Sequence, residues 1–153
     1  MTRLSHKNAQ KFLFGLDNAN FLAIFDEYSD GVLITNRDGI IVYYNQAMSR
    51  IDELDPENAI LNHVTDVYDL DDDTSLILQC LHTRQPIVDE PIYYRTRMGK
   101  FANTIHNVHP IFNKNKLAGS ICFVRDFNVL TETLSGMRLT ESQQRLHQYD
   151  ITF

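Results

Sequence analysis

The spacing of apolar residues changes twice along the chain, and each change marks a different kind of element. From Lys7 to Tyr28 the apolar positions Phe12, Leu13, Leu16, Phe21, Leu22, Ile24 and Phe25 recur three or four apart. That spacing predicts helix with one buried stripe. Gly15 and the Asp17–Asn18 pair divide it into two short helices, with Asp17 or Asn18 as the cap of the second. At Asp30 the period drops to two. Gly31 to Asn36 and Ile40 to Tyr44 read as strands, and Asn36-Arg37-Asp38-Gly39 supplies the Asp-Gly step that a tight hairpin needs for positive φ. Asn45 then caps a short helix through Ile51, and Asp55-Pro56 opens another with proline at its first position. The acidic run Asp69 to Asp73 is expected at the start of a helix reaching Leu81, where the helix dipole welcomes negative charge.

After Pro86 the pattern is β again. Ile87 to Arg97, Phe101 to Phe112 and Leu117 to Arg125 read as three strands, separated by turns at Met98-Gly99-Lys100 and at Asn113 to Lys116. The expected fold is therefore α+β: a five-stranded antiparallel sheet with element order ββ, helices, βββ. Residues Asn128 to Tyr149 return to helical composition, with Leu130, Leu134 and Met137 on one stripe and Leu139 and Leu146 on a shifted one. The expected division is a helical cap over 1–19, a sheet domain over 20–127 and an exit helix over 128–153 leading toward an output domain.

Composition narrows the function classes. The chain has 153 residues, enough for one domain with a real core, and is 43% hydrophobic and 22% charged, which argues against a disordered or rod-like chain. Lys and Arg number 14 against 20 Asp and Glu, so the net charge is -6, which argues against nucleic-acid binding through this domain. No apolar run is long enough to span a membrane and no signal-peptide pattern opens the chain, so the expected location is the cytoplasm. The two cysteines, Cys80 and Cys122, fit a reducing compartment. Phosphate-loop, zinc-protease and nucleophile-elbow motifs are absent, and no nucleophile–base pair or catalytic carboxylate pair can be placed together, so an enzyme is not expected. Asp71, Asp72 and Asp73 are consecutive and point in different directions, which argues against a metal site.

The segments Asp30 to Asn36, Asp38 to Ala47 and Gly119 to Asp126 together resemble a PAS sensory domain. The resemblance covers about residues 20–130. The family usually continues Asp-Ile-Thr at its end, where this chain has Asp126-Phe127-Asn128. A narrower resemblance lies in Thr74 to Ile87 and in Tyr94 to Phe112, which are similar to the N-terminal PAS domain of sigma-54-dependent activators of the arginine-catabolism regulator type. That likeness implies a module that precedes an ATPase and a DNA-binding domain, forms a homodimer and senses a small metabolite, with an amino acid as the suggested class. A ligand-free dimerisation scaffold, or the sensor of a histidine kinase or other signalling protein, is the alternative.

A PAS sheet is curved, and its concave face encloses a pocket. Strand alternation, aligned on flavin-binding PAS relatives, turns Leu33, Thr35, Ile41, Tyr43, Ile92, Tyr94, Thr104, His106, Val108, Ser120, Cys122 and Val124 inward. The candidate pocket residues are Thr35, Tyr43, Tyr94, Thr104, His106, Ser120 and Cys122. A packed interior plugged by Tyr43 and Tyr94 is the rival. His106 is expected to find partners in Thr104, Tyr94, a water or a ligand. A charged amino acid would want a carboxylate in the pocket, and the inward set contains none. No cofactor is expected. The stretch Asn62 to Asp66 lacks the cysteine of flavin photosensors, His82 sits among polar neighbours unlike a haem ligand, and His106 and His109 face opposite sides of a strand. On the convex face Ile121 and Phe123 need a cover, for which Phe12, Leu13 and Leu16 are the candidates, in the same or a partner subunit. Asp126, Leu130 and Leu134 complete the candidate dimer and signalling surface.

Overall fold

The computed structural model describes residues 19–127. Helix α1 (Ala19–Asp26) leads into the hairpin β1 (Gly31–Asn36) and β2 (Ile41–Tyr44). Four short helices follow: α2 (Gln46–Asp52), α3 (Pro56–Ala59), α4 (Val64–Val67) and α5 (Leu76–Thr83). Three long strands close the fold: β3 (Ile87–Arg95), β4 (Phe101–Asn113) and β5 (Lys116–Asp126). All pairings are antiparallel, in the order β2-β1-β5-β4-β3, so the chain's last strand sits at the centre beside its first. The roles expected of Phe12, Leu13, Leu16, Leu130, Leu134 and the helix from Asn128 lie outside the described residues.

Local chemistry explains the boundaries. Gly39 takes φ +82° at the end of the first turn, while the Asn36 side-chain oxygen accepts from the amides of Asp38 (2.9 Å) and Ile40 (3.0 Å). Asp55 caps α3 with Pro56 at its first position. Lys114 and Asn115 both take positive φ between β4 and β5, as a two-residue hairpin turn requires. Gly119 is required by proximity: a Cβ there would lie 1.9 Å from the Thr35 carbonyl oxygen on the neighbouring strand.

Asn45 spends its whole amide. Its oxygen accepts from Val32 N (2.8 Å) and Met48 N (2.9 Å), and its nitrogen donates to the carbonyls of Phe25 (2.8 Å) and Asp30 (3.0 Å). One buried side chain thus starts α2, anchors β1 and holds the end of α1 against the sheet.

Two sequence expectations are corrected. The acidic run does not begin the helix. Ser75 caps α5, and Asp71 to Thr74 form a separate turn in which the Asp71 carboxylate accepts from the Asp73 and Thr74 amides, both at 3.0 Å. The carboxylates are satisfied by their own loop rather than by the helix dipole. The second correction is Tyr43. Leu33 pairs with Tyr44 and Ile34 with Tyr43, but Thr35 pairs with Ile41, so Val42 is an extra residue in β2. This bulge reverses the alternation. Tyr44 turns to the concave face, and Tyr43 turns to the convex face with Val32, Ile34 and Val42. The Tyr43 hydroxyl bonds to Asp26 of α1 at 2.6 Å.

The convex face carries Ile121 and Phe123, as the alternation predicts, and part of its cover is within the described residues. Leu22 and Phe25 of α1 pack there, and the Phe25 and Tyr28 rings lie 6.4 Å and 6.3 Å from Phe123 in edge-on contacts. Asp126 ends β5 opposite Thr104, half-buried.

Candidate functional site

Two buried polar centres on the concave face, Asp52 and His106, differ in one respect: only the first is complete. The first is Asp52, the last residue of α2, which is fully buried. Its carboxylate accepts from the hydroxyls of Tyr44 (2.6 Å), Tyr68 (2.6 Å) and Tyr94. Tyr44 comes from β2 and Tyr94 from β3, which are the two edges of the sheet. Four strand spacings would set those edges about 19 Å apart in a flat sheet. Their convergence on one carboxylate therefore fixes the curl that makes the face concave. Tyr68, just after α4, adds an edge-on contact with Tyr94 at 5.3 Å. Burial pushes the Asp52 carboxyl above its ordinary range, and the three hydroxyl donors pull against that. Burial, together with the Asp52 charge, raises all three phenols, so they remain donors.

The second centre is His106, in the middle of β4 between Val124 and Glu90. It is 8% exposed. Nδ1 lies 3.7 Å from the Cys122 sulfur, and Nε2 has no hydrogen-bond partner among the described residues. The partners expected for it are already engaged. Thr104 donates to the Ile92 carbonyl at 3.0 Å, and the Tyr94 hydroxyl goes to Asp52, leaving Tyr94 only an edge-on ring contact with the imidazole at 5.7 Å. Burial lowers His106 to about 4, so it is neutral at pH 7. Burial raises the Cys122 thiol, so the pair is two neutral groups and not an activated thiolate beside an imidazolium.

His106, Tyr94 and Cys122 line a cavity of about 30 Å³ between the sheet and the segment from α4 to α5. The opposite wall comes from Val64, Tyr68, Leu70, Ser75, Leu76 and Ile77. That wall is held to β3 by Asp69, whose amide donates to the Arg95 carbonyl (2.8 Å) and whose carboxylate takes Arg95 (2.8 Å) and Arg97 (2.9 Å). Thr35 and Ser120 also lie buried, but they bond each other through their hydroxyls at 2.7 Å, away from the cavity. Of the seven candidate pocket residues, three meet at the cavity, Thr35, Thr104 and Ser120 are spent within the sheet, and Tyr43 is on the other face.

Sequence reasoning missed Asp52, Tyr44, Tyr68 and Ser75. A usable signal existed for Asp52: it follows buried Ile51 and lies four residues after buried Met48, so it shares their helix face. Alternation across the Tyr43–Tyr44 pair also pointed to one inward phenol, and the bulge made it Tyr44.

Comparison with known proteins comes to a consistent result. The sequence profile described as the PAS fold matches residues 19–127. The chain is 23% identical over 111 residues to the transcriptional activator RocR of Bacillus subtilis (strain 168), an alignment covering 72% of this chain and 24% of that protein. The chain thus spans about a quarter of that relative's length. Among solved structures it is similar to the PAS domain of a protein from Colwellia psychrerythraea, with TM-score 0.59 and 20% identity, covering 70% of this chain and 93% of the other. It is also similar to the PAS domain of nitrogen regulation protein NR(II) from Vibrio parahaemolyticus, with TM-score 0.57 and 18% identity over 72% of this chain and all of the other.

Proposed function

The chain belongs to the PAS-fold family, and on that premise we propose that it is the sensory module of a bacterial transcriptional regulator. In this reading it binds a small metabolite on the concave face of the sheet and works as a homodimer. It controls a sigma-54-type ATPase and a DNA-binding domain elsewhere in the protein, and its own role is regulatory rather than catalytic. The support for a transcriptional setting is the likeness to a transcriptional activator. The observation that carries ligand sensing is the cavity lined by His106, whose buried Nε2 has no partner among the described residues. Among the described residues no helix is long and apolar enough to cross a membrane.

One observation favours the second reading, a ligand-free dimerisation scaffold. A cavity of about 30 Å³ is far below the roughly 300 Å³ at which drug-sized sites begin. Thermal denaturation of the chain against amino acids, organic acids and small neutral metabolites separates the two. Sensing predicts a rise in Tm for at least one class that grows with ligand concentration. A flat series with a dimeric mass in sedimentation equilibrium leaves the scaffold. A flat series with a monomeric mass removes both readings.

A further inference from the structure

We infer that the cavity beside His106 selects a compact, uncharged guest that carries one hydrogen-bonding group on an otherwise apolar body. The inference rests on the sensory reading above and narrows it to a ligand class. Its geometric basis is His106, a residue more than nine-tenths buried whose Nε2 has no partner among the described residues and which lines a cavity that is otherwise mostly hydrocarbon.

The demand at Nε2 is for one partner. If the Cys122 thiol donates to Nδ1, then Nε2 carries the proton and needs an acceptor. If Nδ1 donates to the sulfur, Nε2 needs a donor. An amide or a hydroxyl group can serve either tautomer. Most of the remaining surface, Leu33, Val64, Ile77, Ile92 and Val124 among it, is hydrocarbon and rewards methyl and methylene groups, while the Ser75 hydroxyl on the opposite wall already accepts from the Leu78 amide.

Charge is excluded by what is already spent. No Lys, Arg, Asp or Glu lines the cavity among the described residues. The Asp52 carboxylate does not line the cavity and is turned to the hydroxyls of Tyr44, Tyr68 and Tyr94, so it offers a cation there no direct contact. An ammonium, a carboxylate or a zwitterion would shed its hydration without gaining a counter-charge. This disfavours a free amino acid bound wholly inside. The volume, about 30 Å³, is room for about two waters, so the guest must be small and the wall must yield. Met48 and Leu76 are unbranched at Cβ and line the space, and methionine adapts readily to a changed shape.

The test uses three probes of one size: propionamide, propionate and propylammonium. Each is titrated into the 15N-labelled 153-residue chain at pH 7, with the His106 imidazole nitrogens followed by long-range 1H–15N correlation. The expected result is a saturable shift of His106 Nε2 by propionamide, with an affinity at least tenfold above that for either ion. In the His106→Phe chain the propionamide response at the Ile77 and Val124 amides should weaken at least fivefold; should that variant not fold, the wild-type ranking decides. Equal or tighter binding of propionate or propylammonium at His106 overturns the uncharged class and leaves metabolite sensing standing. If none of the three binds while xenon under pressure perturbs the same amides, the hydrogen-bonding group is wrong. If xenon also fails, both this inference and metabolite sensing fall, and the scaffold reading remains.

Discussion

Asp52 and His106 are buried on the same face of the same sheet, yet they are treated in opposite ways. Three phenols from three different elements converge on the carboxylate. The imidazole has a thiol at 3.7 Å on one side and, among the described residues, nothing on the other. A buried charge without donors is too costly to keep, so Asp52 has to be saturated, and in being saturated it ties both sheet edges together. A neutral imidazole short of one bond costs only about 1–3 kcal/mol. The fold can carry that cost, and under the proposed reading a guest would offset it. The rigid centre sets the shape of the concave face; the open one is where the proposed guest would find its partner.

The largest effect should come from breaking the complete centre. Asp52→Ala strands the Tyr68 and Tyr94 hydroxyls, leaves that of Tyr44 only the Met48 carbonyl at 3.3 Å, and unclasps β2 from β3, with an expected loss of about 4 kcal/mol in urea unfolding. Asp52→Asn keeps the shape but offers an amide nitrogen where only acceptors are wanted, and about 2 kcal/mol should go.

Titration sharpens the contrast through opposite signs. His106 is held near 4 in the fold against about 6.5 when unfolded. Below pH 6.5 the unfolded chain takes a proton that the fold refuses. Stability should therefore fall as pH drops from 6.5 to 4, by about 3 kcal/mol relative to His106→Phe, and level off below. Asp52 works the other way: its carboxyl is raised in the fold, so its share of stability falls as pH climbs above the ordinary carboxyl range. Unfolding free energies of wild type, His106→Phe and Asp52→Asn across pH 4 to 8 should separate the two slopes.

The smallest effect should lie on the convex face. Tyr43→Phe removes a hydroxyl that reaches both Asp26 (2.6 Å) and the Leu22 carbonyl (3.2 Å) and should cost about 1 kcal/mol, less than Tyr44→Phe, which opens the Asp52 centre. Equal losses would mean that the bulge at Val42 does not sort the two tyrosines to different faces.

The elements were legible because their signals are local. Asn45, the Asp55-Pro56 pair, the Asp38-Gly39 step and the period-two strands each fix a cap, a turn or a face through neighbours in sequence. The inward placement of Tyr94, His106 and Cys122 followed from alternation once the strands were aligned on flavin-binding PAS relatives. Tyr43 failed because one inserted residue inverts alternation, and a four-residue strand offers too short a pattern to reveal it. The acidic run failed because a loop can satisfy its own carboxylate as well as a helix can. The helix face of Asp52 was legible, but its meeting with three tyrosines was out of reach for a different reason. Its partners lie 8, 16 and 42 residues away, and only the curl of the sheet brings them together.

Unfolding of His106→Phe at pH 7 tests the central contrast most directly. An imidazole with an open nitrogen adds nothing to the empty fold, so the variant should be as stable as wild type or more stable by up to about 1 kcal/mol, with the ring filling the cavity. A loss of about 2 kcal/mol or more would mean that His106 is a satisfied structural group like Asp52, and that the concave face holds no open site.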